Sequence, residues 1–324
     1  MEISFRLIIL VQIILAVFPV QAEWFQESQN KMGTRVFIKL WHEDATVAHR
    51  LLLDAMAEFD RIEAVMSTYR ADSEISRINA NGAIDWVPVG EELYDLITRA
   101  LALSVQTDGA FDITYDSVGQ FYDFRKQVRP SELQLEEGLP AINYRHLLHN
   151  PETFEIRFAH PGVRINLGGI AKGYAVESAI RLLEDAGVHH ALANAGGDTR
   201  VLGDRVGKPW IVGIRDPDDE LKFVTRLALN DSAISTSGDY EQFFMEGSIR
   251  YHHIMSPSTG DSATGVRSVT ITGPSATITD GLSTSVFVMG PEAGLRLLES
   301  FPSYDGIIID QQHHIHYSTG VSPL

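Results

Sequence analysis

The sequence predicts an α+β fold in one compact unit with a cleft, built from one or two lobes. Runs with apolar residues at helical spacing, such as Ala45–Val65, are long enough to form packed helices. Alternating apolar and polar runs, such as Thr34–Trp41, are typical of strands. Helices and strands follow one another without a regular βαβ rhythm, so an α+β arrangement fits better than a doubly wound sheet.

The predicted elements follow from these patterns in chain order. The predicted helices are Ala45–Val65, Ser73–Asn79, Glu91–Thr107, Ala171–Gly187, Thr279–Met289 and Pro291–Ser300. The predicted strands are Thr34–Trp41, a hairpin of Thr153–Phe158 with Val163–Asn166, then Trp210–Ile214, Phe223–Leu229, Ile249–Met255, Arg267–Thr272, and a terminal hairpin of Ile307–Ile309 with His314–Tyr317. We interpret Trp24–Gly33 as a short lead, residues 115–150 as loop and short helix, and Ser235–Tyr240 as a polar turn.

Composition restricts the class of protein. The chain has 324 residues, a formal net charge of −17 and a hydrophobic fraction of 44%, which is ordinary for a globular protein with a substantial core. Because nucleic-acid binding needs clustered Lys and Arg, the acidic balance predicts no nucleic-acid partner. The absence of cysteine excludes disulfides and thiolate metal sites.

The first residues have the pattern of an export signal. Arg6 precedes the apolar run Leu7–Phe18, and Val20–Ala22 resembles a small-residue cleavage site. We therefore expect residues 1–22 to be a signal peptide, residues 23–324 to form the functional domain, and the mature protein to be exported to the periplasm. The alternative is an uncleaved anchor that retains the protein at the inner membrane.

A glycine-lysine stretch, Asn166–Ala175, lies between a predicted strand and a predicted helix. Gly168 and Gly169 let the backbone approach a ligand, and Lys172 adds a positive charge. Backbone N–H groups at a helix N-terminus hold anions such as phosphate. The spacing matches neither a Walker loop nor a dinucleotide fingerprint, and a simple helix-entry turn with a surface lysine remains the alternative.

Asp280 and Thr284 lie four residues apart and share a helix face. A carboxylate and a hydroxyl near an anion-binding turn suit a hard cation such as Mg²⁺, which takes oxygen ligands. The alternative is a carboxylate near a helix N-terminus and a hydroxyl that bonds to the main chain.

Histidines and one tyrosine supply further candidates. In an extended segment, either His252 or His253 points inward and could take a proton from an attacking hydroxyl, although a structural role is the alternative. Tyr69 follows a polar turn and could stack on a planar ring or close the edge of the core. His314 and His316 share a strand face, for which an edge strand facing water is a simpler interpretation than a metal site.

Together these segments resemble the FAD:protein FMN transferase family, also called the ApbE family. The matching segments lie in family order and cover nearly the whole chain after the signal: Met32–Thr34, Met66–Tyr69, Ser73–Asn79, Gly109–Thr114, Asn166–Ala175, Asn194–Asp198, Ser235–Tyr240, His253–Ile254, Pro257–Gly260 and Asp280–Thr284. Two positions depart from the family pattern, because Glu177 and Ser256 stand where the family commonly has Asp.

The resemblance implies an exported, Mg²⁺-dependent enzyme that splits FAD, attaches FMN through its phosphate to a Thr or Ser of a partner protein, and releases AMP. The implied partners are flavin-accepting subunits of membrane redox complexes. By position, the implied FAD-binding residues are Met32, Tyr69, Ala110, Phe111, Asp112, Asn166, Lys172, His253 and Ile254. The implied Mg²⁺ ligands are Asp280, Thr284 and the main-chain carbonyl of Gly169.

His253 is the candidate catalytic base for the acceptor hydroxyl. Two other functions are alternatives: an exported FAD pyrophosphatase, which would use the same residues with water in place of the hydroxyl, and a non-catalytic flavin-binding carrier. The carrier is the weaker alternative, because a carrier needs no metal at a pyrophosphate.

Overall fold

The computed structural model describes residues 22–219 and 221–321. The signal peptide predicted at residues 1–22 lies outside this part of the chain, except for Ala22. Among the described residues, no helix combines the length and apolar character needed to cross a membrane.

The described residues form helices and strands throughout the chain. The α-helices are α1 Ala45–Met66, α2 Glu74–Asn81, α3 Glu91–Gln106, α4 Asp116–Gly119, α5 Glu132–Gly138, α6 Ala171–Asp185, α7 Ala276–Met289 and α8 Pro291–Glu299. The strands are β1 Glu23–Lys31, β2 Thr34–His42, β3 Val87–Pro88, β4 Leu147–Asn150, β5 Glu155–Phe158, β6 Ala191–Ala195, β7 Asp198–Leu202, β8 Trp210–Arg215, β9 Phe223–Leu229, β10 Ala233–Gly238, β11 Phe243–Glu246, β12 Ile249–His252, β13 Met255–Ser256, β14 Asp261–Ser262, β15 Val266–Gly273, β16 Asp305–Asp310 and β17 Ile315–Tyr317.

An eight-stranded antiparallel sheet forms the centre of the fold, in the order β1-β2-β6-β7-β10-β15-β16-β17. Helices α1, α6 and α7 pack against this sheet and against one another. Their apolar faces and one face of the sheet form the main core. The predicted α+β class is therefore confirmed.

A second, smaller core lies against the opposite face of the sheet. The hairpin β8–β9 contributes Trp210 and Leu229, which pack with Val201, Ile234 and Ile307 of the sheet. Since neighbouring residues of a strand point to opposite faces, these positions alternate with Leu202, Ala233 and Ile308, which belong to the main core. The sheet is thus covered by helices on one side and by a hairpin on the other.

Side-chain caps set where several helices begin. Asp44 accepts hydrogen bonds from the N–H groups of Thr46 and Val47 at the start of α1. Ser73 and Ser275 cap α2 and α7 in the same way. Each cap satisfies N–H groups that have no partner within the helix, which explains why the predicted and observed helix starts agree within a few residues.

Four strands of the central sheet, β1, β6, β7 and β10, were not predicted, and for two of these another structure was expected. Most of Trp24–Gly33, expected as a short lead, lies in the edge strand β1 (Glu23–Lys31), whose polar residues on both faces conceal the strand pattern. Ala233–Gly238 is the central strand β10, although Ser235–Tyr240 was expected to be a polar turn. Its hydroxyls face partners instead of water: Ser235 Oγ lies 2.8 Å from Thr279 Oγ1 of α7, and Thr236 Oγ1 lies 2.9 Å from Thr270 Oγ1 of β15.

The strand predicted at Val163–Asn166 is wrong, because this segment joins no sheet. Its backbone is held by a side chain instead. The N–H of Ile165 donates to Asn79 Oδ1 at 2.8 Å, and Asn79 Nδ2 donates to the carbonyl of Ile165 at 2.9 Å. The amide of Asn79 thus takes the place of a neighbouring strand. The expected hairpin partner, β5, pairs with β3 and β4.

Glu177 of α6 holds the N-terminus of α7. Its Oε2 accepts hydrogen bonds from Ser275 Oγ at 2.7 Å, from the Thr277 N–H at 2.9 Å and from Thr277 Oγ1 at 2.8 Å. Although Glu177 departs from the family pattern, it therefore fixes where α7 begins.

We expect Glu177→Ala to lower the free energy of unfolding by about 1–3 kcal/mol, because three donors at the start of α7 lose their acceptor. The matched control is Glu184→Ala on the exposed face of the same helix, which should change stability by less than about 0.5 kcal/mol. Urea unfolding followed by circular dichroism measures both values. Equal effects of the two substitutions would contradict the capping role.

Candidate functional site

The candidate site lies where the N-terminus of α6, the turn between β6 and β7, and the helix α7 meet. Gly173 of α6 permits the close approach of α7, because a Cβ on Gly173 would overlap the carbonyl oxygen of Ala276. Gly197 similarly lies against the carbonyl oxygen of Thr236, which leaves no room for a side chain in the β6–β7 turn. These two contacts bring α6, α7 and the first residue of β7 together.

Lys172 lies between two buried carboxylates. Its Nζ is 3.0 Å from Asp198 Oδ2 at the start of β7 and 3.9 Å from Asp280 Oδ1 on α7. Burial acts to lower the pKa of Lys172, but the negative charges of Asp198 and Asp280 outweigh this effect and raise the pKa above its ordinary value. Lys172 therefore carries a positive charge at neutral pH.

Asp280 caps α6 from the neighbouring helix. The residue before α6, Ile170, makes no side-chain hydrogen bond to the helix N-terminus. Instead, the N–H of Gly173 donates to Asp280 Oδ2 at 2.8 Å. Burial raises the pKa of Asp280, and the charge of Asp198 raises it further, whereas Lys172 and the Gly173 N–H act to lower it. Two carboxylates against one lysine leave an excess negative charge in a buried place.

The three residues implied as Mg²⁺ ligands lie together. Asp280 and Thr284 are one turn apart on α7, and a Cβ built on Gly169 would lie 3.3 Å from Thr284 Oγ1. A carboxylate, a hydroxyl and a carbonyl are the oxygen donors that Mg²⁺ prefers, and the excess negative charge favours a cation, so these residues fit the metal. In the described ranges, no cluster of three or more His, Cys, Asp or Glu is arranged to hold a metal ion, and this site would use only one carboxylate.

Asn166 organises the loop before α6. Its Oδ1 accepts the N–H of Gly168 at 2.9 Å, while its Nδ2 donates to Asp116 Oδ1 at 3.2 Å and lies 3.4 Å from Thr68 Oγ1. The predicted site residue Asn166 is therefore part of an internal network. Since the N–H groups of Gly168 and Gly173 bind protein oxygens, an anion at this turn would depend on other N–H groups and on Lys172.

Tyr69 stands beside this loop, on the turn that follows α1. Its side chain is 97% exposed, so Tyr69 does not lie at the edge of the core. Of the two interpretations given above, only stacking on a planar ring remains. Met32 lies on the turn between β1 and β2, near the β6–β7 turn, where the Gly196 N–H donates to the Arg35 carbonyl. The N–H of Met32 donates to Glu63 Oε2 at 3.1 Å, and the Met32 side chain packs against the main core.

The segment Ala110–Asp112 lies against the glycine turn. A Cβ on Gly169 would lie 3.2 Å from Cε2 of Phe111, which is buried, whereas Ala110 is half-buried. Asp112 is occupied by the fold, because its carboxylate accepts the Thr114 N–H at 2.8 Å and the Tyr144 N–H at 2.7 Å. Burial nevertheless raises the pKa of Asp112.

The two adjacent histidines have different roles in the fold. His252 is structural: its Nε2 lies 2.9 Å from the Ala263 carbonyl, and its ring packs edge-on against Phe287. His253 has a buried Nδ1 that makes no hydrogen bond within the described residues. Burial lowers the pKa of His253 to about 4, and the nearby positive charge of Lys172 contributes. His253 is therefore neutral at pH 7 and can accept a proton. Ile254, buried in the main core, follows it.

Asp198 was not among the residues predicted for the site. It ends the matched segment Asn194–Asp198, but nothing in the local sequence distinguishes it from any acidic residue after a glycine turn.

Asp310 orients the two histidines near the C-terminus, His314 and His316. Its Oδ2 lies 2.9 Å from His316 Nε2 and 3.2 Å from His314 Nδ1, and these contacts lower the pKa of Asp310 to about 2.

Two surface grooves lie elsewhere, on the side of the sheet that carries the β8–β9 hairpin. One groove, of about 480 Å³, includes Arg35, Asn194 and Ile211. The other, of about 580 Å³, includes Trp24 and Trp41. None of the predicted site residues lines either groove.

Comparison with known proteins identifies relatives over most of the chain. Residues 32–308 match the sequence model of the ApbE family. A Treponema pallidum (strain Nichols) protein named FAD:protein FMN transferase is 31% identical over 318 residues, which cover 92% of this chain and 87% of that protein. A protein of the same name from Vibrio cholerae serotype O1 is 32% identical over 290 residues, covering 86% and 85% of the two chains. The crystal structure of an ApbE protein from Thermotoga maritima matches with a TM-score of 0.85 at 33% identity, covering 92% of this chain and 97% of that chain.

We expect the imidazole of His253 to titrate near pH 4 in the folded protein, compared with about 6.5 in the unfolded chain. Because only the unfolded state binds this proton near pH 6.5, His253 contributes a loss of stability as the pH falls from 6.5 towards 4. Side-chain ¹⁵N NMR, with the signal assigned by His253→Gln, measures the midpoint. A midpoint at or above 6.5 in the folded protein would contradict the buried, neutral imidazole.

Proposed function

The chain belongs to the ApbE family, and from this membership we propose that it is an Mg²⁺-dependent FAD:protein FMN transferase. It would cleave FAD, attach FMN through its phosphate to a Thr or Ser of a partner protein, and release AMP. The observation that carries this proposal is the convergence of Lys172, Asp280, Thr284 and His253 at the N-terminus of α6 in an ApbE-type fold.

The proposed binding of FAD uses the groups at the N-terminus of α6. The pyrophosphate would lie at the N-terminus of α6, where the helix dipole and Lys172 favour an anion. The exposed ring of Tyr69 is available to stack on a planar ring of FAD. The other proposed contacts are Met32, Ala110, Phe111, Asp112, Asn166, His253 and Ile254.

Asp280, Thr284 and the carbonyl of Gly169 would hold Mg²⁺. When bound, the metal supplies neutralisation of the charge that develops on the pyrophosphate oxygens. Lys172 contributes a fixed positive charge on the neighbouring side, and Asp198 holds the ammonium in place.

His253 would act as the general base. The acceptor hydroxyl loses its proton to the neutral imidazole while its oxygen bonds to the flavin-side phosphorus of FAD. The bond from that phosphorus to the bridging oxygen breaks, and AMP leaves with the bridging oxygen. The lowered pKa of His253 keeps the imidazole neutral before each turnover, as a general base requires.

The proposed location and acceptor proteins follow from the sequence pattern and the family resemblance. Residues 1–22 would direct export and residues 23–324 would form one transferase domain in the periplasm. The proposed acceptors are flavin-accepting subunits of membrane redox complexes.

We expect incubation of the protein with FAD, Mg²⁺ and a purified flavin-accepting domain of a membrane redox subunit to add one FMN-sized mass to that domain. Intact-protein mass spectrometry measures the gain, and nucleotide chromatography measures AMP. The control is the same domain with its acceptor Thr replaced by Ala. FMN and AMP without an adduct would indicate a pyrophosphatase, and intact bound FAD would indicate a carrier.

We expect His253→Gln to reduce the rate of FMN transfer by about 10²–10⁴-fold, because the acceptor hydroxyl loses its base. FAD binding, followed by flavin fluorescence, should be largely kept. The matched control is His189→Gln, an exposed histidine after α6, which should transfer FMN at the wild-type rate. A fully active His253→Gln variant would remove this residue from the base role.

A further inference from the structure

The ammonium of Lys172 has two carboxylates within reach but lies against only one of them. Its distance is 3.0 Å to Asp198 Oδ2 and 3.9 Å to Asp280 Oδ1. The lysine side chain is 31% exposed, whereas the two carboxylates are almost fully buried. Since a lysine has a flexible four-carbon stem, a small rotation would carry the ammonium from Asp198 to Asp280.

The two carboxylates, in contrast, are attached to fixed positions of the backbone. Asp198 stands at the first position of β7, paired with Ala195 on one side and Ser235 on the other. Asp280 is fixed on α7 by the hydrogen bond between its Oδ2 and the N–H of Gly173. Because an aspartate side chain is much shorter than the lysine stem, each carboxylate moves less than the ammonium, and the position of the ammonium depends on which carboxylate attracts it more strongly.

Asp280 has one oxygen left for a metal. Its Oδ2 accepts the Gly173 N–H, and its Oδ1 faces Lys172. An ammonium in direct contact with Oδ1 would compete with a divalent cation there, because both are positive and need the same lone pairs. At 3.9 Å, the ammonium leaves this oxygen available.

We propose that Asp198 is a positioning residue that holds Lys172 away from Asp280, which keeps Asp280 free for a divalent cation and Lys172 free for the anionic substrate. The inference rests on the proposed function in one respect, namely that Asp280 is a metal ligand. It adds a role for Asp198, which touches neither metal nor substrate and acts only through the lysine.

Two simpler roles for Asp198 make different predictions. If Asp198 only stabilised the fold as a buried ion-pair partner, its loss would lower stability without a specific effect on the metal. If it only supplied negative charge, Lys172 and Asp198 would act on metal affinity independently and their effects would add. Positioning predicts that the effects of the two residues depend on each other, and a double-mutant cycle measures this dependence.

The experiment measures the dissociation constant of Mn²⁺ alone, without FAD, from the EPR signal of the free ion. The variants are Asp198→Asn, Lys172→Met and the double variant, with thermal unfolding as the check on fold. We expect Asp198→Asn to weaken Mn²⁺ binding about tenfold, because the released ammonium moves onto Asp280. Lys172→Met should change the affinity less than about threefold in the wild type but restore about tenfold in the Asp198→Asn background.

The outcomes separate this inference from the proposed function. An equal effect of Lys172→Met in both backgrounds would overturn the positioning role. Asp280→Asn should abolish Mn²⁺ binding, and if it does not, the metal assignment of the proposed function fails and the role of Asp198 fails with it. Loss of Mn²⁺ binding in Asp280→Asn together with additive effects of the other two residues would overturn the inference alone.

A second substitution covers the case in which Asp198→Asn does not fold. Asp198→Glu keeps the charge but extends the carboxylate by one methylene, which displaces the ammonium. Positioning predicts weaker Mn²⁺ binding that Lys172→Met relieves in the Asp198→Glu background. Unchanged Mn²⁺ affinity in Asp198→Glu would contradict the positioning role.

Discussion

The site depends on the close packing of α6 against α7 at Gly173. A side chain at this position would overlap the carbonyl oxygen of Ala276 and the Cβ of Asp280. With glycine, the two helices approach until the carboxylate of Asp280 accepts the N–H of Gly173, so that one helix caps the other. The same contact brings Lys172, one residue earlier on α6, to within 3.9 Å of that carboxylate. A helix N-terminus, a lysine and a carboxylate are thus placed together by one packing contact.

The orientation of α7 about its axis is fixed by hydroxyl pairs with the central strand β10. Ser235 Oγ lies 2.8 Å from Thr279 Oγ1, and Ser237 Oγ lies 2.8 Å from Ser283 Oγ, one helical turn further. Thr279 and Ser283 also donate to carbonyls of their own helix, but because buried polar groups need partners, a rotation of α7 would take away the α7 hydroxyls that Ser235 and Ser237 contact. The pairs therefore keep the face of α7 that carries Asp280 and Thr284 directed towards the start of α6. They restrict the rotation of α7 more tightly than apolar packing would.

Periodicity predicted the elements whose apolar face is buried, such as α1 and α6, and it failed where polar residues are buried or a side chain replaces a strand. Strand β10 was missed because its serines and threonines face other hydroxyls, which a single sequence cannot show. Asp198 was missed because its role exists only across the contact with Lys172, 26 positions earlier in the chain. The sequence placed one of two histidines inward, and only the structure distinguished structural His252 from His253, whose Nδ1 has no hydrogen-bond partner among the described residues.

The electrostatics of the site argue for two separate ions. Two buried carboxylates and one lysine leave a negative charge in a region of low dielectric, which costs stability, and burial accordingly raises the pKa of Asp280. An apolar side chain in place of Asp280 would pack without that cost. A bound cation would offset the cost and would explain why a carboxylate is present. On the neighbouring side, the start of α6 and Lys172 favour an anion. A cation site and an anion site within one helical turn suit a metal-bound pyrophosphate, whereas a flavin carrier needs no cation site.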